Sequence, residues 1–239
     1  MKKKVVILGA SSDIGVETAK IFLKNNWEVV AHYHTNFNKL YELKKDKKNK
    51  INLIKIDFKN LNKARQIVLK NKKLFLNTCS FVSLIGFLKS EKKDLFNLNL
   101  ILDHIKINFL SNLLMINTLK KQMLNNNFGR ILLSSSIGTK FGGGENSYSY
   151  SISKFLNEFI PNEFKKKNAN KILYNVIQIG VTDTKIHKNI KNKSIKKRKA
   201  LIPIKRIAKP SEVANKIFFL SSDKNTLIHS QLINISGGE

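Results

Sequence analysis

Two residues that could carry out acid–base chemistry occur in the stretch Tyr148–Lys154, which reads YSYSISK. Residues four apart on a helix share one face, so Tyr150 can interact with Lys154, whereas the residue at that spacing from Tyr148 is Ile152. An ammonium beside a phenol favours the phenolate and lowers its pKa, which suits a proton relay near neutral pH. Because the same spacing recurs elsewhere in this lysine-rich chain, the pair needs support from other residues.

A possible phosphate-binding loop, GASSDIG, follows the first strand-like run of the chain. Glycine permits a tight turn, small residues let backbone N–H groups approach a pyrophosphate, and the N-terminus of the following helix adds positive potential. A plain strand–helix turn is the alternative. The loop predicts a dinucleotide site with contacts from Gly9, Ser11, Ser12, Asp13, Ile14 and Gly15.

The residues after the second and third strand-like runs bear on which dinucleotide binds. A carboxylate after the second strand usually holds the ribose diol of NAD, and none is present here. With His34 and Thr35 as donors at this point, its absence favours NADP(H) over NAD(H). Asp57, followed by Phe58, is predicted to accept a hydrogen bond from adenine; the alternative role of Asp57 is to cap the helix that begins near Asn60.

Strand-like and helix-like segments alternate along the chain and predict the frame that positions these residues. This alternation is typical of an α/β fold, and we expect a single Rossmann-type doubly wound parallel sheet of about seven strands, with helices on both faces, over residues 1–239. Ligands of such sheets bind at the carboxyl ends of the strands. The predicted strands are Lys4–Leu8, Glu28–His32, Ile51–Ile56, Leu74–Cys79, Arg130–Ser134, Leu173–Ile177 and Gln231–Ile235, and the clearest helices are Ile14–Lys24, Tyr148–Phe164 and Val213–Leu220.

Composition narrows the class of protein. The chain has 239 residues, 42% of them hydrophobic, and a single cysteine, Cys79, which fits a reducing compartment. No apolar stretch reaches the length of a membrane span, and the apolar run after the first lysines is too short for a signal peptide. We therefore expect a cytoplasmic protein with no membrane partner, and we expect no metal site.

The formal net charge of +28 invites a nucleic-acid interpretation, which we discount. Only Arg65, Arg130, Arg198 and Arg206 are arginines, whereas a nucleic-acid surface uses arginine for bidentate contacts. The positive field still favours anionic ligands.

These features occur together in the order and spacing that resemble the short-chain dehydrogenase/reductase family, within it the 3-oxoacyl-carrier-protein-reductase-like branch. The resemblance covers essentially the whole chain. It is carried by the Gly9–Gly15 loop, Asp57, the serines of Ser134–Ser136, the Tyr150–Lys154 pair and the C-terminal segment Ile204–Gly238. It implies an NADPH-dependent reduction of a carbonyl to a hydroxyl.

The resemblance also implies roles for single residues. Tyr150 matches the catalytic tyrosine and Lys154 the lysine that lowers its pKa and holds the nicotinamide ribose. Ser136, with Ser135 as the competing choice, matches the serine that donates to the substrate oxygen, and Asn108 matches the asparagine that holds a relay water. Further cofactor contacts are implied for Asn77, Gly180, Thr182 and Thr184.

The chain departs from the family pattern at several points. Leu8 and Asp13 stand where threonine and glycine are usual, and Ile179 replaces a proline. The usual Asn-Asn-Ala-Gly after the fourth strand reads NTCS, beginning at Asn77. Asp13 would repel a pyrophosphate if it pointed inward; the alternatives are that it faces outward or caps the helix.

The identity of the substrate is open at this stage. The basic segment Asp183–Ala200 lies where the family places its substrate lid; it is either a solvated loop or favours an anionic carbonyl substrate, free or linked to an acidic carrier or CoA. Arg130 and Lys171 match basic contacts of carrier-protein reductases. One rival is a reductase of surface-glycan or secondary biosynthesis, and another is a non-catalytic nucleotide- or RNA-binding protein on the same scaffold. The family further implies a homo-oligomer, a tetramer or a dimer, formed through the helices around Asn108 and Tyr150 and the last strand.

Overall fold

Seven parallel strands form one sheet in the computed structural model, which describes residues 3–91, 97–144, 146–186 and 195–239. The strand order is β3-β2-β1-β4-β5-β6-β7. This order confirms the predicted doubly wound α/β fold. The strands are β1 Lys4–Leu8, β2 Glu28–Tyr33, β3 Ile51–Lys55, β4 Ser80–Ser83, β5 Gly129–Ser136, β6 Ile172–Ile179 and β7 Leu232–Ile235.

Helices cover both faces of this sheet. Every residue of β1 is buried, because its side chains alternate between the two faces of the sheet and helices cover both faces. Val6 and Leu8 join a core with the helices that follow β3 and β4, whereas Val5 and Ile7 join a core with the first and last helices. The α-helices are α1 Asp13–Lys24, α2 Asn38–Lys45, α3 Leu61–Lys70, α4 Leu98–Ile105, α5 Ser111–Asn125, α6 Tyr148–Phe155, α7 Ile195–Leu201 and α8 Pro210–Ser221.

Two predicted elements differ from the structure. The predicted strand Leu74–Cys79 is wrong: residues Lys72–Phe75 form a 3₁₀ turn, and Asn77 has a left-handed backbone (φ 61°) that interrupts any strand. The strand starts three residues later than Asn77, at Ser80. Six of the seven predicted strands overlap observed ones.

The predicted helix Tyr148–Phe164 is shorter than expected. It ends as α6 and continues as a 3₁₀ turn, Leu156–Glu158, before Pro161, which has no backbone N–H to donate to a helix. Within the described part of the chain, we find no helix that combines the length and the apolar character needed to cross a bilayer.

Candidate active site

A cavity of about 950 Å³ opens at the carboxyl ends of the central strands. Its walls come from the loop after β1, the ends of β2, β3, β5 and β6, the segment after β4, and α6. Most of the predicted site residues lie here together: Gly9, Ser11, Ser12, Asp13, Ile14, His34, Asp57, Phe58, Ser136, Tyr150, Lys154, Gly180, Thr182 and Thr184. The predicted residues Gly15, Thr35, Asn77 and Asn108 are not part of the wall.

Both glycines of the loop after β1 are required by close backbone packing. Gly9 has a φ of +69°, and a Cβ at this position would lie 2.7 Å from the carbonyl oxygen of Leu84. A Cβ on Gly15 would lie 2.4 Å from the carbonyl oxygen of Gly9. Gly15 therefore shapes the loop from behind, while Ser12 caps α1 by accepting the Gly15 N–H at 3.0 Å.

His32 supports the same loop and was missed by the sequence analysis. Its Nδ1 accepts the N–H of Gly9 at 3.1 Å, and its Nε2 lies 2.9 Å from the carbonyl oxygen of Ile56. Both contacts are satisfied by the neutral tautomer with hydrogen on Nε2. Burial lowers the pKa of His32 to about 4, so this neutral form is held at physiological pH. The available signal was a histidine within the apolar strand EVVAHY.

The Asp13 carboxylate lines the cavity, but both of its oxygens have partners. Lys39 donates to Oδ1 at 2.8 Å, and the backbone N–H of Lys185 donates to Oδ2 at 2.9 Å. Burial alone would raise the pKa of Asp13, yet these two hydrogen bonds leave it lowered. The negative charge is thus paired with Lys39 rather than facing the phosphate loop alone.

The structure excludes the capping role that was the alternative for Asp57. The N-cap of α3 is Asn60, which accepts the N–H of Lys63 at 3.0 Å. Asp57 instead accepts the N–H of Lys59 and lies at the cavity wall, 3.8 Å from His34. Its carboxylate is therefore available to a ligand at this end of the cavity.

Tyr150 and Ser136 face each other across the other end of the cavity. Both residues line the wall, and the Ser136 hydroxyl is close enough to the phenol to lower its pKa. Burial raises the pKa of Tyr150 to about 12, which the Ser136 hydroxyl only partly offsets. The expected lowering of this pKa by Lys154 is not observed, because burial dominates. The phenol is therefore held in its protonated form, ready to donate.

Lys154 lies one helical turn after Tyr150, with its Nζ 6.0 Å from the centre of the phenol ring. The ammonium donates to the carbonyl oxygens of Ile85 and Ser134, at 2.8 and 3.0 Å, and to the hydroxyl of Ser134 at 3.0 Å. Burial lowers the pKa of Lys154 to about 7. The three oxygen acceptors favour the charged form and fix its position.

The three serines at the end of β5 point to different partners. Ser134 accepts from Lys154, and Ser135 donates to Glu158 at 2.6 Å. Of the three, Ser136 is the one whose hydroxyl influences the pKa of Tyr150. The geometry therefore favours Ser136 over Ser135 as the donor to a substrate oxygen.

Asn108 is fully buried in a π-helical segment, Lys106–Leu110, between α4 and α5. Its side chain accepts the N–H of Phe87 at 2.7 Å and donates to the carbonyl oxygen of Phe87 at 2.9 Å and to Ser153 at 2.9 Å. These contacts anchor the segment after β4 to α6. The predicted water-holding role of Asn108 stays a prediction.

Asn77 does not reach the site. It is exposed at the amino end of β4, where its N–H approaches Gln122 of α5, so the cofactor contact predicted for it is wrong. The residues that follow β4 are Leu84, Ile85, Gly86 and Phe87, and all of them line the cavity.

Arg130 does not offer the predicted basic contact to a substrate. It is buried at the start of β5, at the amino-terminal ends of the strands and thus opposite the cavity. Its guanidinium donates to the carbonyl oxygens of Asn225 and Gly129. Lys171 immediately precedes β6 and lies at the same amino-terminal end of the sheet. Of the predicted basic lid Asp183–Ala200, residues 187–194 lie outside the described residues.

The wall near Tyr150 is apolar, a feature that the sequence analysis missed because it misplaced β4. Phe87, Leu88 and Ile186 line this end of the cavity. Phe87 packs on the buried ring of His104, with ring centres 4.8 Å apart. This surface suits an apolar group attached to the reacting atom.

Comparisons with known proteins agree with this geometry. The family profile described as Enoyl-(Acyl carrier protein) reductase matches residues 9–239. The chain is 34% identical over 137 residues to a 3-oxoacyl-[acyl-carrier-protein] reductase of Buchnera aphidicola, a match that spans 56% of this chain and 55% of that protein. It is 25% identical over 238 residues to the reductase of the same name from Rickettsia conorii, spanning 99% of this chain and 96% of the relative. The chain thus spans about half the length of the first of these relatives.

A solved structure of ElxO with NADP bound has the same fold. The TM-score is 0.84 at 24% identity, over 100% of this chain and 98% of the other. This likeness agrees with the fold derived from the strand order.

Proposed function

Because the chain belongs to the short-chain dehydrogenase/reductase family of NAD(P)-dependent oxidoreductases, we propose that it uses NADPH to reduce a carbonyl to a hydroxyl, in the manner of a 3-oxoacyl-[acyl-carrier-protein] reductase. The observation that carries this proposal is the convergence of Tyr150, Ser136 and Lys154 on one cavity wall, with Lys154 one turn after Tyr150.

The residues divide the work of the reaction among them. NADPH supplies a hydride to the carbonyl carbon when it is bound. Tyr150, protonated because of its raised pKa, donates a proton to the carbonyl oxygen. Ser136 donates a hydrogen bond to the same oxygen as negative charge develops on it. Lys154 contributes positive potential beside the phenol and so stabilises the phenolate that remains.

The residues at the end of β2 support NADPH over NADH. His34, Asn36 and Lys39 line this end of the cavity, and Lys39 brings a cation that the sequence analysis did not identify. Lys39 bonds Asp13 at 2.8 Å but is more than half exposed, so it is free to reach a phosphate. A 2′-phosphate is the feature of NADPH that such a cation recognises.

The apolar wall and the basic surroundings support a substrate with an apolar acyl group and an anionic end. Phe87, Leu88 and Ile186 provide the apolar contacts. The chain's net charge of +28 favours an acyl group on an acidic carrier, a CoA ester or a similar anion. A reductase of surface-glycan or secondary biosynthesis with an anionic substrate is the runner-up.

The test is NADPH oxidation, followed by absorbance, against a panel of 3-oxoacyl esters, diketones and oxidised sugars with and without anionic groups. We expect turnover of a 3-oxoacyl ester, abolished by Tyr150→Phe with NADPH binding retained. Tyr148→Phe is the matched control, because Tyr148 lies outside the cavity wall. Equal loss in both variants would contradict the role of Tyr150.

The same experiment tests the alternative that the protein is not an enzyme. Stoichiometric NADPH binding with no turnover of any carbonyl would favour a non-catalytic nucleotide-binding protein. Salt-sensitive RNA binding without NADPH would favour the RNA-binding alternative.

We also propose a homo-oligomer, a tetramer or a dimer, in the cytoplasm. Helix α4 packs against α6, and this pair leaves large apolar side chains exposed: Leu98 by 71%, Leu102 by 49% and Phe155 by 61%. A second copy of the chain would cover this face. The mass in solution tests it: Phe155→Asp is expected to lower the oligomeric mass, and a monomeric wild type would refute the proposal.

A further inference from the structure

Three buried asparagines form a hydrogen-bonded network beneath the proposed catalytic residues. Asn108, Asn112 and Asn157 are exposed by 0%, 0% and 1%. The side chain of Asn112 donates to the carbonyl oxygen of Asn108 at 3.0 Å and to Oδ1 of Asn157 at 2.9 Å. Ser83, at the end of β4, donates to Oδ1 of Asn112 at 2.6 Å. The network therefore joins β4, the π-helical segment, α5 and the end of α6.

Every amide hydrogen of Asn112 and Asn157 has an acceptor. The Nδ2 group of Asn157 donates to the carbonyl oxygens of Asn108, at 3.1 Å, and Ser134, at 3.2 Å. A buried polar network whose groups are all satisfied is rigid, because each alternative arrangement leaves a polar group without a partner. Such networks specify one geometry rather than adding much stability.

The network ends on an atom that Lys154 also uses. The Ser134 carbonyl oxygen accepts from Nδ2 of Asn157 and, at 3.0 Å, from the ammonium of Lys154. Lys154 also donates to the hydroxyl of Ser134, so two of its three acceptors lie on this residue. Any shift of this carbonyl therefore moves the position of the ammonium relative to Tyr150.

We propose that Asn112 and Asn157 are positioning residues of the reductase, which hold the Ser134 carbonyl and through it the ammonium of Lys154. This inference rests on the proposed function and deepens it. Neither asparagine lines the cavity, so both act through Ser134 rather than on the substrate or the cofactor.

The electrostatic surroundings of Lys154 make it sensitive to such positioning. Tyr150, on the same helix, has its ring centre 6.0 Å from the ammonium. In the 3₁₀ turn after α6, Glu158 instead accepts from Ser135, Thr139 and Gln178. Burial lowers the pKa of Lys154, and its hydrogen bonds within the described residues go to carbonyl and hydroxyl oxygens rather than to a carboxylate. The charged ammonium of Lys154 is thus stabilised by hydrogen bonds to backbone and hydroxyl oxygens.

The first test removes the amide without adding charge. Asn157→Leu is expected to lower kcat by about 10- to 100-fold, as misplacement of a catalytic group does, with the Kd of NADPH changed less than about threefold. Asn175→Leu is the matched control: Asn175 is equally buried and bonds Ile228 and Gln231 at the far edge of the sheet. The control is expected to lose stability without loss of kcat. Equal effects of the two variants on kcat would overturn the proposal.

The second test does not depend on turnover, so it separates failure of this inference from failure of the proposed function. Asn157→Asp replaces the Nδ2 donor by a carboxylate oxygen next to the Ser134 carbonyl, and this negative charge near the ammonium raises the lysine pKa. In the wild type that pKa, about 7, lies below its unfolded value, so the folded state binds fewer protons and stability rises as pH increases from 7 to about 10.

The rise in the melting temperature over this pH range is therefore expected to be smaller in Asn157→Asp than in Asn175→Asp. Identical pH dependence of the two aspartate variants would refute the coupling to Lys154. Unlike kcat, this readout holds even if no carbonyl of the panel is reduced. If the variants at Asn157 do not fold, Ser83→Ala, which removes one terminal hydroxyl of the network, replaces Asn157→Leu in the first test and must lower kcat at unchanged NADPH affinity.

Discussion

Replacing Gly9 by alanine tests the phosphate loop most directly, because the chain contains a matched control. Gly9 and Gly142 have the same backbone angle, φ +69°. A Cβ on Gly142 meets nothing within 4 Å, whereas a Cβ on Gly9 lies 2.7 Å from the oxygen of Leu84 and 2.8 Å from the nitrogen of Ile85. The two variants thus share the strain of a left-handed backbone and differ only in the collision.

The expected magnitudes follow from this difference. A left-handed alanine costs about 1–2 kcal/mol in either variant. The collision at Gly9 adds about 1–3 kcal/mol, as overpacking does in a close-packed interior. For a chain of this size each kcal/mol lowers the melting temperature by about 2–4 °C. We therefore expect a loss of roughly 2–8 °C for Gly142→Ala and about twice that for Gly9→Ala.

The cofactor distinguishes the variants further. The collision is relieved only if the loop moves away from Leu84 and Ile85, and both sides line the cavity. We expect the Kd of NADPH, measured by fluorescence titration, to rise about tenfold or more in Gly9→Ala, which corresponds to about 1.4 kcal/mol, and to stay unchanged in Gly142→Ala. Equal losses of stability and of affinity in the two variants would refute the packing argument.

Three further predictions concern charge at the site. Lys39→Met is expected to weaken NADPH binding about tenfold more than NADH binding, because both cofactors meet the uncompensated Asp13 carboxylate but only NADPH loses a cation for its 2′-phosphate. Parallel titrations of both cofactors check this, and equal weakening would contradict a contact between Lys39 and the 2′-phosphate. The pKa of His32 in the folded state, about 4, lies below its ordinary value, so the folded state loses stability as pH falls from 6.5 to 4. His32→Gln should therefore reduce the loss of melting temperature over this pH range. An unchanged pH dependence would contradict this role of His32. With Lys154 near pKa 7 and Tyr150 near 12, kcat/KM should decline above pH 7 as the ammonium is lost; a rate that rises to pH 10 would show that the charged lysine is not required.

The fold was largely predictable from the sequence because alternating apolar runs and helical periodicity are local signals. The strand β4 was the exception. The run LFLNTC is as apolar as a strand, and only the left-handed backbone of Asn77, which depends on its neighbours in space, shows that the chain turns there. This single shift hid Phe87 and the apolar wall.

The candidate site was predictable where its residues have characteristic spacing and not where it depends on tertiary contacts. Tyr150 and Lys154 are brought to one wall by a helical turn. The support of the loop by His32 and the contacts of Asn112 and Asn157 link residues from different elements, so no periodicity reveals them. The raised pKa of Tyr150 likewise results from burial, which spacing does not report.

The two partners of Asp13 have a consequence for how this chain can change by mutation. A glycine at that position alone would leave Lys39 without its counter-charge and release the backbone at Lys185, while changing Lys39 alone would leave a carboxylate uncompensated beside the phosphate loop. The effects of the two substitutions are therefore non-additive, and we expect Asp13 and Lys39 to be kept or lost together.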